Sequence, residues 1–400
     1  MAAPIDIAIA LTVVLVAAIA FARLRDLRRG AGTPDLRLLP DSSSSIRYFV
    51  TLVHGTWLRG FLDLDSTIPW YREKSDLCKE LARQDTLIYR FSWSGANSVA
   101  ARFKAATKLT EEVSPLLSKY ATATHVIVAH SRGANVALLA LQDSAIAART
   151  ASMVSLSAPF VRVSVRRILT DDESVSTMQT VLVLTVVGMV FLSLSLSAWL
   201  LGWASAAAYL TLVVALIVAW RMRVLLAGLR RRAEALVRQL QTPPCKGLRL
   251  LIVRPVADEA SGVLVADQFL RWVAEKIEAL SYAGLVSTFS FAVLFQFLYS
   301  AWTWKWYEGI NHLFPVIALS TLAIGSQMIR VLMAAPFGFR PTLSMMLLDL
   351  SAEVSPEGKW EIIQAPPSMD PRAFNHSLTW SDPKLIARST EWLFAGRYDS

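Results

Sequence analysis

Two kinds of segment alternate along much of the chain. Short apolar runs rich in β-branched residues are bounded by Gly, Pro, Ser or Asp, which is typical of buried strands, and segments of helical periodicity lie between them. Strands are expected near 47–53, 86–91, 125–130, 152–157, 248–254 and 360–364. Helices are expected around 72–83, 98–118, 132–147, 266–280 and 383–395. This alternation predicts an α/β fold with a mainly parallel sheet and helices on both faces.

Longer apolar blocks interrupt this pattern. Residues 4–22 are nearly uncharged, residues 181–220 carry no charge, and two further blocks cover about 283–302 and 313–333. A run of about 20 apolar residues is long enough to cross a bilayer. Because 181–220 is long enough for two crossings with a turn near Gly202, the sequence predicts five transmembrane helices.

The predicted crossings divide the chain into seven parts. Residues 1–22 form a transmembrane anchor, 23–46 a linker, 181–220 and 283–334 two transmembrane hairpins, and 47–180, 221–282 and 335–400 three parts of one globular core. A cleavable signal peptide is the alternative for 1–22. The uncleaved anchor is favoured because arginines follow this apolar stretch and no Lys or Arg precedes it, the reverse of a secretory signal.

Composition and charge favour the same interpretation. Hydrophobic residues make up 54% of the chain, only 18% are charged, and the mean hydropathy is +0.43, more apolar than an ordinary soluble domain requires. Lys and Arg are concentrated in the three core segments, which predicts that these segments share the cytoplasmic side. The sequence thus predicts a multi-pass integral protein of the plasma or bacterial inner membrane with its core facing the cytoplasm.

The net charge of +9 is compatible with nucleic-acid binding, but no binding motif accompanies it. The arginine-rich stretch 221–238 directly follows a predicted crossing, so anionic lipid head groups are the expected partner and nucleic acid is not. The two cysteines, Cys78 and Cys245, have no metal-ligand spacing and suggest no disulfide framework. No metal and no cofactor are predicted, and the oligomeric state is left open.

One segment carries candidate chemistry. Residues 124–141 read THVIVAHSRGANVALLAL: a β-branched apolar run, a short polar segment around Ser131, and a stretch of helical composition. A serine on such a strand–turn–helix element is held above the end of a sheet, and small neighbours allow the tight turn. Ser131 is therefore a candidate nucleophile. The alternative is a helix cap, in which the hydroxyl accepts from a free backbone N–H.

A nucleophilic serine needs a histidine base and an acid that orients it. His376 is the candidate base, because it lies on a late loop between a predicted strand and the terminal helix. The other histidines lie in motifs, in a strand or between apolar segments: His54, His125, His130 and His312. Asp258, just beyond the predicted strand 248–254, is the candidate acid, with Glu259 as the substitute. A solvated acidic turn is the alternative for this carboxylate pair.

The chain order Ser131, Asp258, His376 is that of the α/β-hydrolases, and the sequence resembles this superfamily over roughly 47–170, 247–270 and 358–396. Ala129 stands where many members carry glycine, which weakens the turn only slightly because alanine is also small. Segments 91–98 and 156–160, with Arg102, are similar to segments of lipase-like hydrolases distantly related to inositol deacylases of lipid-anchored proteins.

A second stretch extends the resemblance. Strand 47–53 ends in His54-Gly55-Thr56-Trp57, which is similar to the HG motif after the third strand of lipases and esterases. The resemblance implies that the backbone N–H groups of Thr56 or Trp57, with that of Arg132, bind the oxyanion of a tetrahedral intermediate. His54 is expected to shape this turn rather than to transfer protons.

The resemblance implies a serine hydrolase that cleaves a carboxylic ester through an acyl-enzyme, without a cofactor. The predicted hairpins leave the sheet near its catalytic edge, so a lipid or amphipathic ester taken from the bilayer is the expected substrate; the alternative is that the hairpins are only tethers. An acyltransferase that uses the same acyl-enzyme and a non-catalytic membrane scaffold remain alternatives.

Overall fold

A computed structural model describes residues 35–38, 46–56, 70–71, 75–82, 85–170, 204–244, 247–256, 265–266, 268–277, 314–366 and 379–395. The chain divides into two compact units. Unit 1 comprises Met1–Val161, Thr242–Leu264 and Ala352–Ser400, and unit 2 comprises Arg162–Gln241 and Val265–Ser351.

The described strands and helices follow the alternation predicted from the sequence. The strands are β1 (Asp35–Leu38), β2 (Tyr48–Val53), β3 (Thr86–Phe91), β4 (Thr124–His130), β5 (Thr150–Leu156), β6 (Phe160–Val165), β7 (Arg249–Pro255), β8 (Leu348–Glu353) and β9 (Glu361–Ala365). The helices are α1 (Asp76–Leu81), α2 (Val99–Lys119), α3 (Arg132–Ala140), α4 (Ser144–Arg149), α5 (Arg167–Thr170), α6 (Ala204–Leu240), α7 (Phe314–Leu332) and α8 (Pro383–Phe394). Residues 268–277 are also helical.

A seven-stranded sheet forms the centre of unit 1, in the order β1-β3-β2-β4-β5-β7-β9. Strand β1 pairs antiparallel with β3, and every other neighbouring pair is parallel. A mainly parallel sheet is therefore confirmed. Strands β6 and β8 form a separate two-stranded sheet.

The side chains on both faces of the sheet are mostly apolar, because helices pack against both faces. Residues alternate between the two faces along each strand, and they divide into two buried clusters. One cluster joins the sheet to α2, α3 and α4. The other joins it to α1 and α8. This double coverage explains the nearly continuous β-branched runs from which the strands were predicted.

Some elements differ from the prediction. Residues 35–38, expected in a linker, form the edge strand β1. The helix expected over 132–147 is divided in two, because the Asp143 side chain accepts hydrogen bonds from the backbone N–H groups of Ala145 and Ile146 and starts the new helix α4. Such a side chain competes with continuation of the preceding helix.

The prediction of five transmembrane helices is wrong for the described part of the chain. Among the described residues no helix combines the length and the apolar character needed to cross a bilayer. The multi-pass placement in a plasma or bacterial inner membrane, with the core facing the cytoplasm, fails on the same finding. Residues 4–22, 181–203 and 283–302, which carried the rest of this prediction, lie outside the described residues.

Two described helices, α6 and α7, contain parts of the apolar blocks and also carry polar residues. Helix α6 continues from its apolar first half into an arginine-rich second half. Helix α7 buries a polar face: Arg330 is 1% exposed and donates to the Asp349 carboxylate at 2.9 Å, and Gln327 accepts from Arg166 at 2.9 Å. These two polar side chains of α7 are therefore buried against partners within unit 2.

Candidate active site

The sheet has a topological switch point between β2 and β4. These two strands are adjacent and parallel, with Val53 paired to Ala129. The helix that follows β2, α1, lies in one buried cluster, and the helix that follows β4, α3, lies in the other. A crevice forms at the carboxyl ends of such strands, where parallel α/β sheets bind ligands.

Ser131 lies at this switch point in a strained conformation. Its φ is 50° and its ψ is −130°, a region that residues other than glycine rarely occupy and that costs about 1–3 kcal/mol. Its N–H donates to the carbonyl of Leu156 on the neighbouring strand at 2.8 Å. The turn therefore bends sharply from β4 into α3.

The Ser131 hydroxyl is not used as a helix cap. Ser131 occupies the N-cap position of α3, but its side chain makes no capping hydrogen bond to the described first turn of this helix. The alternative of a capping serine, left open by the sequence, is therefore not supported. The strained backbone of this residue is therefore not offset by a capping hydrogen bond, which would stabilise the first turn of the helix.

Two glycines make this geometry possible. A Cβ atom on Gly55, after β2, would lie 2.7 Å from the Cβ of Ser131. A Cβ atom on Gly133, in the first turn of α3, would lie 2.5 Å from the backbone oxygens of both Val53 and His54. Both distances are shorter than a van der Waals contact, so only glycine lets the end of β2 approach the turn and helix so closely.

We therefore expect Gly133→Ala to lower the free energy of unfolding by about 2–3 kcal/mol, since rigid backbone oxygens must move to admit the methyl group. Gly228→Ala is the matched control. Gly228 lies within α6 with nothing within 4 Å of an added Cβ, so alanine should raise the stability by up to about 1 kcal/mol. Urea unfolding followed by circular dichroism measures both changes, and equal effects would contradict the close approach.

His54 shapes the turn beside Ser131 and is held neutral. Its Nε2 accepts from the backbone N–H of Trp93 at 3.2 Å, so the proton is on Nδ1, which donates to the Gly55 carbonyl at 2.8 Å. The indole N–H of Trp93 donates to the His54 carbonyl at 2.7 Å, and the two rings stack. Burial lowers the pKa of His54 to about 4, so this residue is not a base near neutral pH.

His125 also has a structural role. Its Nε2 lies 2.9 Å from the Thr51 hydroxyl and its Nδ1 lies 2.8 Å from the Thr150 hydroxyl, which itself donates to the Ile146 carbonyl. These contacts connect β2, β4 and β5 through a neutral ring. Burial, with a smaller effect of the Arg149 charge, lowers the pKa of His125 to about 3.

These two histidines predict how stability depends on pH. An unfolded chain binds their protons below about pH 6.5, whereas the folded pKa values are about 4 and 3. Their contribution is therefore fully present above about pH 6.5 and is lost as the pH falls toward the folded values. We expect a loss of about 2 kcal/mol per histidine by pH 5. Urea unfolding between pH 7.5 and 5 measures it, and a flat profile would contradict the neutral, buried rings.

The third described histidine directly precedes the nucleophile candidate. The ring of His130, the last residue of β4, packs edge-on against Trp380 at 4.4 Å and against Trp70 at 5.9 Å between ring centroids. Aromatic surface therefore surrounds the end of β4, next to Ser131.

Positive charge is concentrated beside the turn. Arg132 begins α3 and Arg102 lies near the start of α2, and both side chains are buried. Burial lowers the pKa of Arg132 to about 10, and burial together with the charge of Arg132 lowers the pKa of Arg102. The N-terminus of α3 adds its dipole at the same place. The helix dipole favours a negative charge that develops near Ser131.

The structure brings three of the six predicted site residues to one edge of the sheet. Ser131 and Arg132 follow β4, and Thr56 follows the adjacent β2. The other three lie outside the described residues: Trp57, Asp258 and His376.

The described residues nearest to the acid and base candidates are held at this edge. Val256, two residues before Asp258, donates its N–H to the Ala365 carbonyl at 3.0 Å. Thr379, three residues after His376, places its hydroxyl 3.1 Å from that of Ser157, the residue after β5. Ser157 also has a positive φ, of 48°.

A buried amide behind the turn was missed by sequence reasoning. The Asn135 side chain on α3 donates to the Pro159 carbonyl and accepts from the Thr242 hydroxyl, both at 3.0 Å. Thr242 in turn accepts from the N–H of Val161 at 3.2 Å. The only trace of this network in the sequence is an amide in the middle of an apolar helix.

Comparison with known proteins does not identify a relative. No protein-family profile matches the chain, and none of the curated proteins is similar to it at a significant level. Function therefore has to be inferred from the geometry around Ser131.

Proposed function

We propose that the protein is a serine hydrolase that cleaves carboxylic esters, with Ser131 as the nucleophile. The observation that carries the proposal is the conformation of Ser131: a positive φ at a strand–turn–helix junction, with a hydroxyl that does not cap the helix. Residues with strained backbone conformations cluster at functional sites. A serine on a sharp turn between a strand and a helix, at the carboxyl end of a parallel sheet, is the arrangement of nucleophiles in α/β-hydrolases.

In the proposed reaction the Ser131 Oγ attacks the ester carbonyl carbon while His376 takes its proton. Asp258 orients the His376 ring and stabilises its charged form. The oxyanion accepts from the N–H groups of Arg132 and of Thr56 or Trp57. Collapse breaks the bond to the alcohol, which leaves with the proton from His376, and water then releases the acid from the acyl-enzyme by the reverse sequence.

Three features of the described residues support these roles. The N-terminus of α3 favours negative charge at the turn. The anchors Val256 and Thr379 lie within two and three residues of the acid and base candidates, and one residue spans at most about 3.6 Å. His54 and His125 have their ring nitrogens occupied, which leaves the base role to another histidine.

The aromatic rings around His130 favour an ester with an apolar acyl chain. Trp70 is buried in the core, whereas Trp380 is half-buried, so Trp380 presents apolar surface at the end of β4, beside the nucleophile candidate. A longer chain buries more apolar area, at about 25 cal/mol per Å². An amphipathic ester is therefore the proposed substrate class.

Hydrolysis of p-nitrophenyl esters by the purified full chain tests the proposal. We expect turnover above the buffer rate, a higher kcat/KM for the octanoate than for the acetate, and progressive inactivation by a fluorophosphonate. The absence of hydrolysis for esters of every length would contradict the proposed function. Hydrolysis with an acetate preference would contradict only the apolar acyl chain.

A further inference from the structure

Helix α6 exposes a row of large apolar side chains. Val213, Ile217, Trp220 and Val224 are 51, 53, 61 and 55% exposed. Their spacing of four, three and four residues places them on one face of the helix. The row is about 16 Å long, since each residue adds 1.5 Å. Four large apolar side chains in one line form more than the scattered exposure that is normal for a protein surface.

The same face becomes basic toward the end of the helix. Arg231 and Arg238 follow Val224 by seven and fourteen residues, which returns them to the face of the apolar row, and both are exposed. Beside the row, the Arg221 guanidinium lies 5.3 Å from the centre of the Trp220 ring.

Within helix α6, little negative charge offsets these arginines. The helix contains a single acidic residue, Glu234, and it pairs with Arg230 at 3.0 Å. The basic half of the face is therefore complementary to an anionic surface, and the apolar half is complementary to an apolar one.

We propose that this face of α6 docks on the surface of an anionic lipid bilayer, with the helix axis along the surface and without crossing it. The apolar row enters the boundary between head groups and acyl chains, and the arginines contact lipid phosphates. Charge complementarity selects this occupant over a second copy of the chain, because a second copy presents the same arginines and no carboxylate on this face. The docking is independent of the proposed hydrolase activity.

Vesicle flotation with the full chain tests the proposal. The vesicles are phosphatidylcholine alone or with about 30 mol % phosphatidylglycerol. We expect tighter binding to the anionic vesicles and weaker binding at high salt. Because one arginine near such a surface contributes about a fivefold gain in affinity, the double variant R231Q/R238Q should weaken binding by at least about tenfold. I217Q/V224Q should weaken it by a similar factor, since it removes half of the apolar row.

The matched control is Leu343→Gln. Leu343 is 70% exposed, lies in unit 2 and is not part of α6, so this variant should bind vesicles like the unmodified chain. Circular dichroism verifies that all variants fold, as expected for changes at exposed positions.

Three results would overturn the proposal. The first is equal binding to neutral and anionic vesicles. The second is an effect of Leu343→Gln as large as that of the α6 variants. The third is a dimer of the unmodified chain, detected by light scattering, that dissociates in I217Q/V224Q while vesicle binding does not change. This result would assign the face to a second copy of the chain.

Discussion

Replacing Ser131 by alanine should abolish ester hydrolysis while the fold remains intact. Removal of a nucleophile that acts together with a base and an oxyanion site lowers kcat by about a thousandfold or more. The fold should persist because the Ser131 side chain makes no capping hydrogen bond to α3. The free energy of unfolding should change little, because alanine tolerates a positive φ about as poorly as serine does. Steady-state kinetics and circular dichroism of the purified variant measure the two effects.

Ser157→Ala is the matched control for this experiment. Ser157 has nearly the same φ as Ser131 and follows the adjacent strand, but its hydroxyl contacts Thr379 and no helix begins after it. We expect this variant to keep kcat within about tenfold, with a stability loss of about 1 kcal/mol from the lost hydrogen bond. If instead Ser157→Ala were inactive and Ser131→Ala active, the nucleophile would be the wrong serine.

The second large effect is expected at the acid. If Asp258 orients His376 and stabilises its charged form, Asp258→Asn should lower kcat by about 10³- to 10⁴-fold, since an amide holds the ring in the wrong tautomer. Glu259→Gln changes the neighbouring carboxylate in the same way and should lower kcat by less than about tenfold, because a residue outside the triad contributes no orienting hydrogen bond.

This pair of variants separates two arrangements of the triad. The reverse pattern, with Glu259→Gln the more damaging, would transfer the orienting role to Glu259. Equal small effects would contradict an acid at this turn and favour a solvated acidic loop. Because the two residues are adjacent, a general effect of lost charge would appear in both variants, so their ratio isolates the specific contact.

Much of the sheet could be predicted from the sequence. Helices cover both of its faces, so the central residues of strands such as β4 and β7 are consecutive apolar positions and are recognisable as short apolar runs. The nucleophile candidate was recognisable for the same reason, since the run before Ser131 ends at a polar turn and a helical segment follows.

The peripheral elements could not be predicted because their stability comes from pairing. Strand β1 is a four-residue segment within a Gly- and Pro-containing stretch, and it exists by pairing with β3. Its sequence has no long apolar run. Local propensity therefore gave no indication of this edge strand.

The prediction of transmembrane crossings failed for a related reason. Hydropathy counts apolar residues, but it does not show which side chains a helix buries against protein. In α7, the polar residues Gln327 and Arg330 lie on a buried face and bond to partners far away in sequence. A polar face of this kind appears in the sequence only as an interruption of an apolar block.

The detailed geometry of the site depends on contacts between distant residues. The approach of Gly55 to Ser131 joins residues 76 positions apart, and the contact between Ser157 and Thr379 joins residues 222 positions apart. Such contacts follow from strand order, which a single sequence does not specify. The motifs predicted which residues are chemically suitable, and the switch point between β2 and β4 explains why some of them meet.

Fluorophosphonate labelling tests the central claim most directly. The probe forms a covalent bond only with a serine that is activated as a nucleophile. After labelling of the full chain, digestion and mass spectrometry identify the modified residue. The proposed function predicts one phosphonylated serine, Ser131, with no labelling of Ser131→Ala and continued labelling of Ser157→Ala. Labelling of a different serine would contradict the assignment of Ser131 as the nucleophile. An absence of labelling in the folded chain would contradict it as well.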